Sequence, residues 1–358
     1  MSRYRVLAAA DHAATLSLRL LAALNVLFLI GFVAVCLLAA GRAHGASDAC
    51  TGSDLLTALE KDDPALLERI RKEASATQNG EGLLWRIEKK NGGAPSFLFG
   101  TMHVTDPRVT GLPQAAERAL QSSGTLVIET TDVLDQSRMM AALAAEPELM
   151  MFTDGTTLMS LLSPGDAAIV ASALEERGIP AAAVARMKPW MLSGMVALPA
   201  CEMARKAGGA PVLDVKLARQ ASARGKAVEG LETVADQLRA MASLPLEFHM
   251  KGLVETLKLG GRMDDVVETM IVLYEQEATG MFWPLLRAVL PEGSGDEVGY
   301  AMFEEALISR RNRTMVDRAE PLLRRGNAFL AVGALHLPGP EGLIELFRAA
   351  GYSVTRVN

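Results

Sequence analysis

From residue 84 the chain alternates apolar and polar side chains in the period of a half-buried strand: Leu84-Trp85-Arg86-Ile87-Glu88-Lys89. Asn91-Gly-Gly-Ala-Pro95 is turn chemistry, and Ser96 to Phe99 reads as the return strand of a hairpin. A helix is predicted over Pro113 to Ser122, then a buried strand, Thr125-Leu-Val-Ile-Glu-Thr130. Strand, helix, strand in that order fits a parallel βαβ unit, which puts His103 and Glu129 at one carboxyl edge of a sheet. Ahead of the hairpin, Ser53 to Ala76 reads as two short helices, the second restarted by Asp63-Pro64. Residues 136–290 are mostly helical in period and composition, with one strand offered by Lys226 to Glu232. A long helix from Glu297 to Arg324 leads into strand Ala328 to Val332, a helix from Pro340 to Ala350 and a strand from Tyr352 to Val357. The fold class is therefore α/β (α+β). A central mixed β-sheet is formed by N- and C-terminal βαβ parts, with a large helical insertion between them.

The chemistry-bearing pattern is a repeated one. Phe97-Leu-Phe-Gly-Thr-Met-His103 and Phe329-Leu-Ala-Val-Gly-Ala-Leu-His336 each run from strand-forming residues to a glycine and then, three positions on, a histidine. The missing Cβ is expected to let each strand end on a tight turn that carries an imidazole out of the sheet edge. Two imidazoles brought together this way suit a divalent metal or an acid–base site. Glu129, at a strand terminus, is the third member: a two-His-one-carboxylate set leaves positions for water and substrate. The alternative for Glu129 is an ordinary ion pair. Arg311 and Asn312 stand in the last long helix, where Arg could clamp an oxyanion and Asn donate to it. A basic run here is equally a solvated helix face. Asp214 and Glu232 are further acidic candidates, the former also readable as a helix-start residue. His249, inside a helical segment, reads as a hydrogen-bonded structural residue.

Net charge is −6, so a nucleic-acid footprint is not expected, and no phosphate-binding glycine loop argues for a nucleotide enzyme. The N-terminus changes the picture more. Arg3, Arg5 and Arg19 precede an apolar stretch from Leu20 to Ala40, and small residues follow at Ala43 and Gly45. Residues 1–45 thus read as a signal peptide, or as an uncleaved anchor through residues 20–40, since that run is long enough to span a bilayer. Either places residues 46–358, read as one domain, outside the cytoplasm. Without residues 1–45 the chain loses four Arg and one Asp and moves from −6 to −9. Cys36 leaves with the leader, while Cys50 and Cys201 form an even pair for an oxidising compartment. A Cys50–Cys201 disulfide is expected, with two unrelated buried thiols as the other reading. Methionines cluster from Met139 to Met203, as core filling or as an adaptable apolar groove.

Phe99-Gly-Thr-Met-His103, Val127-Ile-Glu129, Leu213-Asp214, Gly230-Leu-Glu-Thr233 with Gln237, Arg311-Asn312 and Val332-Gly-Ala-Leu-His336 together resemble the TraB/GumN family, in its order and over about Cys50 to Val357. That family includes the bacterial pheromone-shutdown proteins and the Tiki-type proteases of animals. The resemblance implies a fold akin to the erythromycin-esterase and ChaN group. It also implies metal-dependent peptide hydrolysis with a divalent ion (Mn, Co or Zn), His103 and His336 as ligands, Glu129 as ligand or general base, and Arg311 and Asn312 shaping the site. GumN-like members are often exported, which places this chain in the periplasm or in the inner membrane facing it. The expected partner is a peptide or protein substrate. Two other functions stay open: a non-catalytic envelope protein that captures a peptide, lipid or saccharide precursor, and a haem or metal carrier. Nothing in the residues sets the oligomeric state.

Overall fold

A computed structural model describes residues 50–289 and 297–357. The alternating segment forms strand β1 (Leu84–Lys89), which pairs antiparallel with β2 (Ser96–Thr101), Leu84 opposite Phe99. The connecting turn needs its glycines: Gly92 and Gly93 have φ of +77° and +113°, a region that L side chains avoid. Further along come β3 (Thr125–Ile128), β4 (Ala227–Gly230), β5 (Ala328–Gly333) and β6 (Tyr352–Arg356). The six strands form one sheet in the order β4-β3-β5-β2-β1-β6, a mixed α/β architecture. β4, β3, β5 and β2 run parallel, and β1 is antiparallel to both its neighbours.

The two ends of the sequence do not build two halves of this sheet. They interleave. β5, from the C-terminal part, lies between β2 and β3 and pairs with both. That insertion brings the second histidine motif between the first one and Glu129.

Successive side chains of the central strands enter opposite faces, and both faces are covered, which is why these strands read as continuous apolar runs. Phe99, Leu126, Ile128, Phe329 and Ala331 pack on one side with Leu213, Leu217 and Tyr274. Leu98, Val127, Leu330 and Val332 pack on the other with Met315, Leu322 and Phe347. The helices between β3 and β5 carry a further core of their own around Leu158, Val170, Leu192 and Leu253. The long helix predicted from Glu297 is broken. It runs as Glu297–Glu304, one π-helical turn Glu305–Ser309, and Arg310–Arg325. Such turns re-aim the residues that follow them.

Cys50 and Cys201 are joined, Cα atoms 5.4 Å apart, across 151 residues of sequence. The bond ties the start of the described chain to helix Ala200–Ala207. The expected leader or anchor at 1–45, with Cys36, lies outside the described residues. Among those described, no helix is long and apolar enough to cross a membrane.

Candidate metal centre

Register explains why the candidates meet. Thr101 pairs with Gly333 and Ile128 with Ala331, so the three central parallel strands stop at nearly one level. Glu129 is the next residue of β3, His103 stands two past β2, and His336 closes the 3-10 turn Ala334–His336 after β5. All three therefore sit at the carboxyl edge, where parallel sheets place their ligands. The two motifs are not equivalent: Phe97 pairs with Phe329 and Leu98 with Leu330, so the second copy reaches its glycine one residue later. The glycines do not serve these turns through a left-handed backbone. Gly333 has φ −51°, and neither glycine has positive φ. What each permits is close approach. A Cβ at Gly333 would stand 3.1 Å from Glu129 Oε1 and 3.7 Å from His103 Cε1, and one at Gly100 would meet Ala334 at 3.1 Å.

Around Glu129 Oε1 the donor atoms converge. His103 Nε2 is 3.9 Å away and His336 Nε2 3.8 Å, while Asp214 Oδ2 is 3.7 Å from His103 Nε2. Asp214 lies in the first turn of helix Leu213–Ala223, but its side chain does not cap that helix. Its Oδ1 accepts from Thr101 Oγ1 at 3.0 Å, and its buried Oδ2 has His103 as its nearest polar contact. Glu232 sits farther back, held by Arg311.

The protonation pattern follows from the hydrogen bonds. Asn312 Nδ2 donates to the carbonyls of His336 and Glu341, at 3.2 and 2.8 Å, which fixes the amide so that Oδ1 faces His336 Nδ1 at 2.6 Å. Nδ1 must then carry the hydrogen, and Nε2 presents a bare lone pair to the centre. Burial pushes the His336 imidazole down to about 4 against the pull of Glu129, so the ring is neutral. Burial alone would raise Glu129, but the charges of His103, His336 and Arg311 and the Gly333 N–H, 2.7 Å from Oε1, hold it at about 2. For His103, burial works downward and is overcome by the Asp214 hydrogen bond and by the charges of Glu129 and Asp214, to about 9. Its side chain is 55% exposed, so water screens part of that pull.

Arg311 lies behind Glu129. Its Nη2 donates to Glu129 Oε2 at 2.8 Å and Glu232 Oε2 at 2.7 Å, its Nε to Glu232 at 3.0 Å, and its Nη1 to the Leu307 carbonyl at 3.2 Å. A guanidinium so engaged orients carboxylates and does not face a substrate oxyanion, the role its sequence position offered. Asn312 likewise contacts a histidine and two carbonyls. Gln237 belongs to the motif set, yet its role comes only from the fold: Nε2 donates to Glu129 Oε2 at 3.0 Å. Thr105 and Glu202, which no sequence signal singled out, hold the His103 loop through bonds of 2.6 and 2.8 Å. His249 is a hydrogen-bonded helix residue, Nε2 to the Met241 carbonyl at 2.9 Å.

Among the described residues no three His, Cys, Asp or Glu side chains are already closed to ligand geometry. The donor set nonetheless fits a cation. Ligands about 2.1 Å from one ion lie roughly 3.0–3.4 Å apart, so the pairs at 3.7–3.9 Å need to close by about half an ångström. A bare imidazole nitrogen and an ionised carboxylate oxygen 3.8 Å apart, with a second buried carboxylate oxygen on the far side of His103, are mutually repulsive without positive charge among them. His103 supplies that charge as a proton, which an ion would displace.

Comparison with known proteins bears on the same residues. The model of the TraB/PrgY/gumN family matches residues 83–356, from the first strand to the last. The chain belongs to that family. It is 25% identical over 323 residues to the zebrafish (Danio rerio) protein named metalloprotease TIKI2, covering 76% of this chain and 60% of the relative. A metalloprotease TIKI homolog of Amphimedon queenslandica is 27% identical over 329 residues, covering 79% and 62%. This TraB/PrgY/gumN chain thus spans about three-fifths of the length of the curated relatives it matches. No solved structure matches it.

Proposed function

We propose that this TraB/PrgY/gumN protein is an exported, divalent-metal-dependent hydrolase acting on peptide bonds, in the periplasm or anchored in the inner membrane facing it. The observation that carries the reading is the cluster of His336 Nε2, Glu129 Oε1 and Asp214 Oδ2, acceptors with no hydrogen of their own, arranged about His103. The names of its relatives from Danio rerio and Amphimedon queenslandica support the same class, and the basic, apolar, small-residue leader supports export.

His103, His336 and Glu129 would hold the ion, with Asp214 beside them. A Mn, Co or Zn ion held there would polarise a scissile carbonyl and bring the ionisation of a bound water toward neutral pH. The rest belongs to the chain. Asn312 keeps His336 Nε2 free of hydrogen. Arg311 and Gln237 neutralise and aim Glu129, so that it binds charge and does not take up a proton. Asp214 Oδ2, buried beside His103 with no hydrogen bond of its own, is placed to accept a proton from the attacking water.

The test is metal analysis of the purified full chain in detergent, followed by digestion of a peptide library with and without chelator. Bound ion, and cleavage that chelator stops and metal restores, is the expected result. His103→Ala and His336→Ala should each lose the ion. Wild-type occupancy in both variants would end the proposal, and peptide retention without turnover, indifferent to chelator, would replace it with the capture function.

A further inference from the structure

A second site shares a helix with the metal centre. Helix Val234–Ala242 presents Gln237 to Glu129, and Met241, four residues on and so on the same face, lines a cavity of about 370 Å³. The cavity wall is aromatic: Trp190, Phe248, Trp283, Tyr300 and Phe303 line it. Phe303 packs edge-on to Trp283 with centroids 5.6 Å apart, and Phe248 lies 6.0 Å from Phe303. None of the clustered methionines between 139 and 203 lines it, so this cavity is not the thioether groove that stood as the alternative to core filling.

Two features mark the cavity as built for an occupant. Gly194 and Gly252 line it from helices Pro189–Val196 and Leu246–Leu259, and a Cβ at either would meet nothing within 4 Å. Glycine inside a helix costs about 1 kcal/mol relative to alanine. No steric neighbour and no positive φ requires it here, and what it achieves is open space. Two of the lining residues also carry buried polar atoms with no hydrogen-bond partner: Trp190 Nε1, a donor, and Glu255 Oε2, an acceptor, on residues 8% and 7% exposed. Buried polar atoms are rarely left so, and one peptide unit carries both missing partners, a carbonyl and an N–H.

We propose that this cavity receives a bulky apolar side chain, aromatic by preference, together with an adjoining peptide unit, of the polypeptide whose bond lies at the metal centre. The protein thereby selects apolar peptide segments. The identity of the occupant as substrate rests on the hydrolase reading; the cavity and its unpaired atoms do not. Its volume falls within the range of about 300–1,000 Å³ usual for small-ligand pockets.

The experiment measures binding, with no ion and no turnover needed. N-acetyl-L-phenylalaninamide and N-acetylglycinamide are titrated into the full chain in one detergent, alongside His103→Ala, Gly252→Leu and Gly194→Leu. The phenylalanine probe should bind wild type and His103→Ala alike and outcompete the glycine probe. Each leucine variant should bind it about tenfold or more weakly, the side chain's burial being lost. Leucine favours a helix over glycine, and a thermal melt confirms that each variant folds. Should either variant fail to fold, the other and the wild-type probe pair still decide. Equal binding of the two probes, wild-type affinity in the folded leucine variants, or uptake of decanoate in place of the phenylalanine probe would overturn the inference. If the probe binds as stated while no peptide is cut, the cavity stands and the hydrolase reading falls. If peptides are cut without preference for apolar residues, the reverse holds.

Discussion

His103 and His336 arise from nearly the same local sequence and end in opposite surroundings. His336 has a side chain only 4% exposed, its Nδ1–H held by Asn312 and its ring neutral. His103 has a side chain 55% exposed, and nothing grips its ring but the carboxylates across the centre. Its loop is held from behind. The Glu202 carboxylate accepts from the Thr105 N–H and hydroxyl, and Lys206 donates to the His103 carbonyl at 3.1 Å. Both residues belong to helix Ala200–Ala207, which the Cys50–Cys201 bond fastens. A strand-Gly-x-x-His motif thus fixes where the backbone emerges, while the helix that packs on it decides what the imidazole can do. One histidine is part of the core, and the other is hung on a cross-linked surface helix.

Replacing the two histidines gives the largest contrast. Both His336→Ala and His103→Ala should lose the divalent ion altogether, read by metal analysis. His336→Ala should be the more easily unfolded of the two, by about 3–5 kcal/mol against wild type in denaturant titration, because it leaves a cavity and a buried Asn312 Oδ1 without its partner. Equal stability losses would erase the distinction between the two loops.

Cutting the cross-link acts on the His103 side alone. Cys50→Ser should cost about 2–4 kcal/mol of stability, the usual range for a native disulfide closing a long loop. It should weaken metal binding through the looser Ala200–Ala207 helix while leaving His336 protected. Amide hydrogen exchange over residues 102–106 and 334–338 separates these outcomes. Faster exchange at both, or at neither, contradicts the tether. Asn312→Ala is the counterpart on the other side. An orphaned His336 Nδ1–H costs about 1–3 kcal/mol, and the loss of a group orienting a ligand lowers metal affinity about 10–100-fold. An unchanged metal titration would mean that the ring needs no such lock.

How much of this could be read along the chain depends on where each partner comes from. β1, β2 and the strand ending at Glu129 are local patterns, and they stand where the alternation put them. The interleaving of β5 between β2 and β3 is a choice among pairings, and no residue states it locally. The π turn before Arg311 is invisible in a continuous helical period. The candidate residues were legible because each ends an element. Their bonds were not, because they join positions 182 apart for Arg311 and Glu129, and 97 apart for Thr105 and Glu202. Asn312 followed the same rule: the sequence offered it as a donor to substrate, and the fold turns its amide onto the histidine. The aromatic cavity draws on five helices spread over more than a hundred residues, so no window of sequence contained it.

The smallest effect lies in acid, and again belongs to the His103 side. Asp106 caps its loop by binding Arg108 and Arg205. Burial works to raise its carboxyl, but the Arg108 side-chain and backbone hydrogen bonds and the two guanidinium charges win, and it is lowered from its ordinary value. A carboxylate depressed by folding contributes stability that is complete above its unfolded value of about 4 and fades as pH falls through the folded one. Asp106→Asn should therefore be less stable than wild type at neutral pH, and the gap should narrow below about pH 4 as the wild-type group takes up a proton. Urea midpoints measured at both ends of that range decide it. A gap that stays constant into acid would mean that Asp106 holds the loop by hydrogen bonding alone, and that its charge takes no part in keeping His103 at the rim.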